Sequence, residues 1–189
     1  MKKVTRILLV LILLGALIFA AQKLNQDRSI KKDFNNTIAI KGSKNIEEAA
    51  EINFKAPTFN LKGLDGKQHN INNLNKPIVL NFWASWCGPC KIEAPELVKL
   101  YKNYQDRIEI YAINITKGDT IEGAKAFSEK YSFAFPVLLD TKNEVSTIYN
   151  VAAIPTTYFV NKEGIVVDQI IGFGGTDVLQ QKIKKLADL

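Results

Sequence analysis

The chain has 189 residues, a formal net charge of +6, two cysteines and one histidine. The charge is not concentrated on the part that would fold: three basic residues precede an N-terminal apolar run, and from Ala56 onward fifteen Lys/Arg face fourteen Asp/Glu. A nucleic-acid module would carry its positive charge on the folded domain, so that class is set aside, and a Cys/His metal site lacks the roughly four ligands it needs.

At the N-terminus Lys2, Lys3 and Arg6 stand before an unbroken apolar run, Ile7 to Ala21. This is the layout of an export signal whose basic side stays in the cytoplasm. As a helix rising ~1.5 Å per residue the run spans about 22 Å, and flanking residues extend it toward the ~30 Å hydrocarbon core. No small-x-small pair follows it, which favours a retained single-pass anchor over a cleaved signal for residues 1–24. Residues 25–55, rich in Lys, Asn, Asp and Glu, are expected as an extracytoplasmic tether. Residues 56–189 suit one domain with a core large enough to do without a stabilising disulfide.

The domain opens with Phe59 and Leu61 alternating with polar residues, then Asp65-Gly66 as a hairpin turn. His69 is expected as an exposed hairpin side chain rather than a ligand or base. The continuous apolar run PIVLNFWA reads as a strand buried on both faces. A helix is expected from about Cys87 to Tyr104, with Pro89 in its first turn, Pro95 as a kink, and Ala94, Leu97, Tyr101 and Tyr104 on one face. RIEIYAINIT is the next strand, and TIEGAKAFSEKY a helix with Ile121, Ala124, Phe127 and Tyr131 on one stripe. FPVLLD forms a short strand and NEVSTIYNV a short helix. TTYFVNKEGIVVDQIIG is a hairpin closed at Asn161 to Gly164, and a last helix is capped by Thr176. The order β-hairpin–β–α–β–α–β–α–β–β–α predicts an α/β fold: a mixed central sheet with helices on both faces and an N-terminal β-hairpin.

Both cysteines lie in NFWASWCGPCK, as Cys87 and Cys90. A strand running straight into a helix puts Cys87 at the helix N-terminus, where unpaired N–H groups and the macrodipole favour a thiolate. Cys90, one turn on, can attack a mixed disulfide formed by Cys87. Gly88 and Pro89 keep the ring short while leaving the first sulfur open. A structural bridge across two residues would close almost no loop and stabilise little, so a redox pair is the better reading.

With its flanks, APTFNLKGLDGKQHNINNLNKPIVLNFWASWCGPCKIEAPEL, and with FPVLLD and VAAIPTTYFVNKEG further on, this segment resembles the membrane-tethered TlpA/ResA-like thiol-disulfide oxidoreductases of the thioredoxin superfamily. The resemblance runs from Ala56 almost to the C-terminus. It implies a thioredoxin-like fold, no cofactor and no metal. It also implies a protein-disulfide reductase outside the cytoplasm, whose best-known substrate is the CxxCH motif of apocytochrome c before haem attachment. A transmembrane electron donor of the CcdA/DsbD type would regenerate the dithiol. By motif, Cys87 attacks, Cys90 resolves, and the two form the redox-active disulfide. Pro155, after Ile154 and before Thr156, matches a cis-proline that exposes backbone to a substrate strand. Glu93 matches an acidic residue near the pair: a buried proton acceptor for Cys90, or else a first-turn glutamate held by the helix dipole. Trp83 and Trp86 are expected to pack, Trp86 also covering one side of the thiol, so that Trp86, Gly88, Pro89, Ile154, Pro155 and Thr156 would line the substrate. Two departures stand out: Asn81 replaces the buried aspartate of classical thioredoxins and cannot exchange protons, and the tether is long.

The Gly-Pro dipeptide is that of reducing thioredoxin, near about −270 mV, rather than of oxidants near about −120 mV. A disulfide-forming oxidant, a general thiol-repair or sporulation thioredoxin, and an idle interaction domain would use the same residues. A peroxiredoxin would want a threonine where Ala84 stands and an arginine near the cysteine, yet from Ala56 onward the chain has only Arg107.

Overall fold

In a computed structural model, described for Gln22 and for residues 47–72 and 74–189, the elements follow the expected order. The segment read as anchor or signal lies, Gln22 apart, outside the described residues. Among the described residues no helix is long and apolar enough to cross a membrane.

A small antiparallel pair comes first, β1 (Asn60–Lys62) and β2 (Gln68–Asn70), with Leu61 opposite His69. Its turn needs Gly66, whose φ is +77°. Then follow β3 (Ile78–Trp83), α1 (Gly88–Tyr104), β4 (Glu109–Asn114), α2 (Ile121–Lys130), β5 (Val137–Leu139), α3 (Glu144–Ile148), β6 (Thr156–Val160), β7 (Val166–Ile171) and α4 (Thr176–Ala187). The five-stranded sheet has the order β5-β4-β3-β6-β7. Strands β3, β4 and β5 run parallel, while β6 and β7 are antiparallel to their neighbours. This is the mixed α/β architecture that the pattern implied and the thioredoxin-like fold that the resemblance implied.

All six residues of β3 are buried, as a strand covered on both faces must be. Alternate side chains point to opposite sides. Val79 and Trp83 pack with Leu97, Phe127 and Ile183 from α1, α2 and α4. Ile78, Leu80 and Phe82 pack with Phe59, Val145 and Tyr149 on the other face. Asn81 shares the parity of Val79 and Trp83 and so faces α1, the helix that begins at the cysteines.

Several local expectations are corrected. Residues 47–55, expected as tether, are built into the domain: Glu48 bridges Lys55, the Asn53 N–H donates to Val166 O at 2.8 Å, and Ala50 is buried. The compact unit runs from Ile46 to Leu189. The segment pairs with Val166, the first residue of β7, while Leu64 N–H donates to Val137 O of β5 at 2.9 Å. One end of each edge strand is thereby engaged, at Val166 of β7 and at Val137 of β5, which a composition-based reading cannot foresee. Ile121 is exposed, while Ala124 and Phe127 of the same helix are buried. Thr176 is the first residue of α4, whose cap is Gly175 with a φ of 93°. His69 is only partly exposed: its Nε2 lies 3.1 Å from both carboxylate oxygens of Asp65, and its ring meets Tyr111 edge-on.

Candidate active site

Strand β3 ends at Trp83, and four residues later Cys87 caps α1 with φ −70° and ψ 115°, an extended backbone that α1 then leaves. Its sulfur accepts the Cys90 N–H at 3.2 Å, one of the amides a helix start leaves unpaired. Cys87 and Cys90 form a disulfide with their Cα atoms 5.3 Å apart. Pro89 occupies the first turn without costing a hydrogen bond. A Cβ at Gly88 would touch nothing within 4 Å, so space in front of the pair is open.

The loop before β6 approaches from the side. The Ile154–Pro155 bond is cis, and Ile154 O lies 3.7 Å from Cys87 Sγ. Thr156 is buried, and its hydroxyl donates to Ala153 O at 2.7 Å, which closes the loop. The fold therefore brings Gly88, Pro89, Ile154 and Pro155 around the disulfide, while the Thr156 side chain is engaged inward. Trp86 departs from expectation: it is 62 % exposed, its indole N–H donating to Gly118 O at 2.7 Å. Trp83 does pack, its ring 4.4 Å from that of Phe127.

Glu93 lies one turn beyond Cys90 on the same buried face of α1 and is only 2 % exposed. It stands past the first turn of α1, which holds no acidic residue, so the reading of a first-turn glutamate held by the helix dipole is not borne out. Asn81 Nδ2 donates both to Glu93 Oε2 and to Thr157 Oγ1, each at 2.9 Å. Burial lifts the Glu93 carboxyl from 4.5 to about 7, and the Asn81 hydrogen bond offsets part of that rise. Asn81 thus cannot carry a proton but holds the group that can. Asn81→Ala removes the donor, and the Glu93 titration, followed by carboxyl carbon resonance, is expected to move further upward. An unchanged or lower midpoint would show that Asn81 does not hold the carboxylate.

Two polar residues at this end of the sheet escape the sequence reading. Ser85 and Asp119 meet across the loop ahead of Cys87, with Ser85 N–H donating to Asp119 Oδ2 and the Ser85 hydroxyl to Oδ1, both at 2.6 Å. The only local signal, Asp119-Thr120 before a helix, reads as an ordinary cap.

The sequence profile of the AhpC/TSA family matches residues 52–169. The chain belongs to this family. The thioredoxin-like protein YneN of Bacillus subtilis is 37 % identical over 131 residues, 68 % of this chain and 76 % of YneN. The thiol-disulfide oxidoreductase ResA of the same organism is 37 % identical over 133 residues, 69 % of this chain and 71 % of ResA. Among solved structures, StoA from Bacillus subtilis superposes with a TM-score of 0.58 at 28 % identity, over 66 % of this chain and 95 % of StoA. With a CxxC disulfide capping a helix in this fold, this member of the family is a thiol-disulfide oxidoreductase. Among the described residues the site has no peroxidatic threonine and arginine: Ala84 stands where the threonine would, and Arg107 lies beyond the far end of α1, donating to Asp188 at 2.8 Å.

Proposed function

We propose that the chain is a membrane-anchored reductase of protein disulfides on the extracytoplasmic side. The observation that carries this reading is the Cys87–Cys90 disulfide at the head of α1 with a buried, protonatable Glu93 behind it. In the reduced enzyme the Cys87 thiolate attacks one sulfur of a substrate disulfide. That S–S bond breaks, and the departing substrate thiolate takes a proton from solvent. Cys90 then gives its proton to the Glu93 carboxylate and attacks Cys87 Sγ, which expels the second substrate sulfur as a thiolate. That thiolate is protonated from solvent, and Glu93 returns its proton to solvent. Two electrons have passed to the substrate, and the enzyme is left with the closed pair seen here. A dithiol donor in the membrane, of the CcdA/DsbD type, restores the reduced pair.

Residues 1–24 serve as the anchor and the polar stretch up to residue 45 as the tether. The Ile154–Pro155 loop supplies backbone for an extended substrate segment, and Trp86 supplies an exposed aromatic face. ResA and YneN are the relatives that support this class of chemistry, and the Gly88-Pro89 dipeptide supports the reducing direction. Cytochrome c maturation is the pathway proposed, with the CxxCH disulfide of apocytochrome c as substrate.

A Cys90→Ser variant leaves the mixed disulfide unresolved, so partners should stay linked to Cys87 and be identifiable after trapping in cells. Recovery of CxxCH proteins is the expected result. Trapped partners without that motif would redirect the substrate assignment. A measured potential near that of oxidants, about −120 mV, would reverse the direction of electron flow.

A further inference from the structure

The densest hydrogen bonding beside the disulfide converges on Asp119, which follows a 3-10 turn, Thr116–Gly118, and precedes α2. Each of its carboxylate oxygens accepts two donors. Oδ2 takes Ser85 N–H at 2.6 Å and Asn114 Nδ2 at 2.9 Å. Oδ1 takes the Ser85 hydroxyl at 2.6 Å and Thr120 N–H at 2.8 Å. Two of the four donors belong to Ser85, two positions before Cys87. The residue between them, Trp86, gives its indole N–H to Gly118 O, the neighbour of Asp119. One short segment therefore holds both residues that lead into the reactive cysteine.

Gly123 closes this arrangement from the first turn of α2. A Cβ there would lie 2.8 Å from Ser85 Oγ, 2.9 Å from Thr120 Oγ1 and 3.0 Å from Asp119 Oδ1. The position sits in ordinary helix, so what it requires is space and not a glycine-only backbone. Only an ionised carboxylate fits the centre. An amide of the same shape presents one acceptor oxygen and turns an NH₂ group toward two donors.

We propose that Asp119 is a positioning residue for disulfide exchange: with Gly118 and Gly123 it fixes Ser85 and Trp86, so that the exposed indole is a preformed docking face for the substrate polypeptide. This rests on the reductase reading above and adds the element that orients its substrate. An aromatic face held in one place loses little freedom when a partner lands on it. Its release should weaken polypeptide binding and leave sulfur exchange with a small disulfide almost untouched.

The test uses the full chain in detergent, reduced, with two substrates: an oxidised peptide carrying a Cys-x-x-Cys-His segment, and a low-molecular-weight aromatic disulfide. Asp119→Asn should raise KM for the peptide about tenfold with kcat within about twofold, while the rate with the small disulfide stays within about twofold. The Trp86 fluorescence anisotropy, isolated by comparison with Trp86→Phe, should fall in Asp119→Asn as the indole gains local freedom. Gly123→Ala is expected to give the same KM rise by pushing the three oxygens apart. Because alanine favours helix over glycine, this variant decides the matter should Asp119→Asn fail to fold. A wild-type chain unable to reduce the peptide overturns the reductase reading. A wild-type chain that reduces it, beside folded variants with unchanged KM, overturns the role of Asp119 alone.

Discussion

Cys87→Ser is expected to abolish exchange altogether, whereas Cys90→Ser should still attack once and then stop. The asymmetry comes from the helix start. Cys87 Sγ accepts the Cys90 N–H at 3.2 Å and lies 3.7 Å from Ile154 O, beside open space over Gly88. In the reduced protein that amide and the helix dipole favour a thiolate on Cys87, the form that attacks. A serine hydroxyl does not ionise near neutrality, so turnover should fall on the order of 10³-fold or more. In the Cys90→Ser protein, one equivalent of substrate thiol should be released per enzyme and a mixed disulfide should persist. Rapid-quench alkylation followed by mass measurement reads both. Selective alkylation of the reduced protein should also label Cys87 well below about pH 8.5, where free cysteine is mostly a thiol. If Cys87 reacts no more readily than free cysteine, or if Cys87→Ser still gives a mixed disulfide through Cys90, the assignment of roles is wrong.

Glu93→Gln should slow resolution and at the same time stabilise the protein at alkaline pH. Burial places the carboxyl at about 7 in the folded chain, against 4.5 when solvated. The native state therefore keeps a proton that the unfolded chain releases across that interval. Stability from this group is fully present below pH 4.5 and is lost as pH rises through about 7. The shift corresponds to about 3 kcal/mol, as an order of magnitude. Glutamine keeps the acceptor for Asn81 Nδ2 and is never charged, so this pH slope should vanish. Above pH 7 the oxidised variant should be the more stable protein by about that amount, read from denaturant midpoints at pH 5 and pH 8. Identical pH dependence in both proteins would mean that Glu93 is not the buried titrating group. Loss of the proton acceptor should slow the attack of Cys90 on the mixed disulfide about 10²-fold near neutrality. The deficit should shrink at high pH, where Cys90 ionises unaided.

These two expectations draw on information of different origin. That Cys87 stands at a helix start with Cys90 one turn on was legible in the sequence, because a strand of continuous apolar residues running into a helix leaves few places for the first cysteine to stand. The order of elements was legible too, since the periodicity of two or 3.6 is a local property of the chain. Ile121 and Thr176 show the limit of that signal. Both fit a helical pattern, yet one faces solvent and the other starts its helix without capping it, and the difference depends on neighbours distant in sequence.

What the sequence by itself determined is the thioredoxin-like architecture, the reactive pair and the separation of a basic apolar N-terminus from a nearly neutral domain. The mixed α/β layering, the cysteine pair at a helix start and the charge separation follow from short-range spacing and composition. The thioredoxin-like identity of the fold follows from the resemblance of the NFWASWCGPCK segment and its flanks. Only the tertiary structure decided that Glu93 is buried and held by Asn81, that Trp86 points outward, that residues 47–55 belong to the domain, and that Asp119 braces the loop ahead of Cys87. Each of those depends on which backbone segments meet across the sheet, twelve residues apart for Asn81 and Glu93 and thirty-four for Ser85 and Asp119. Burial and hydrogen-bond partners are set by those meetings, and no local pattern encodes them.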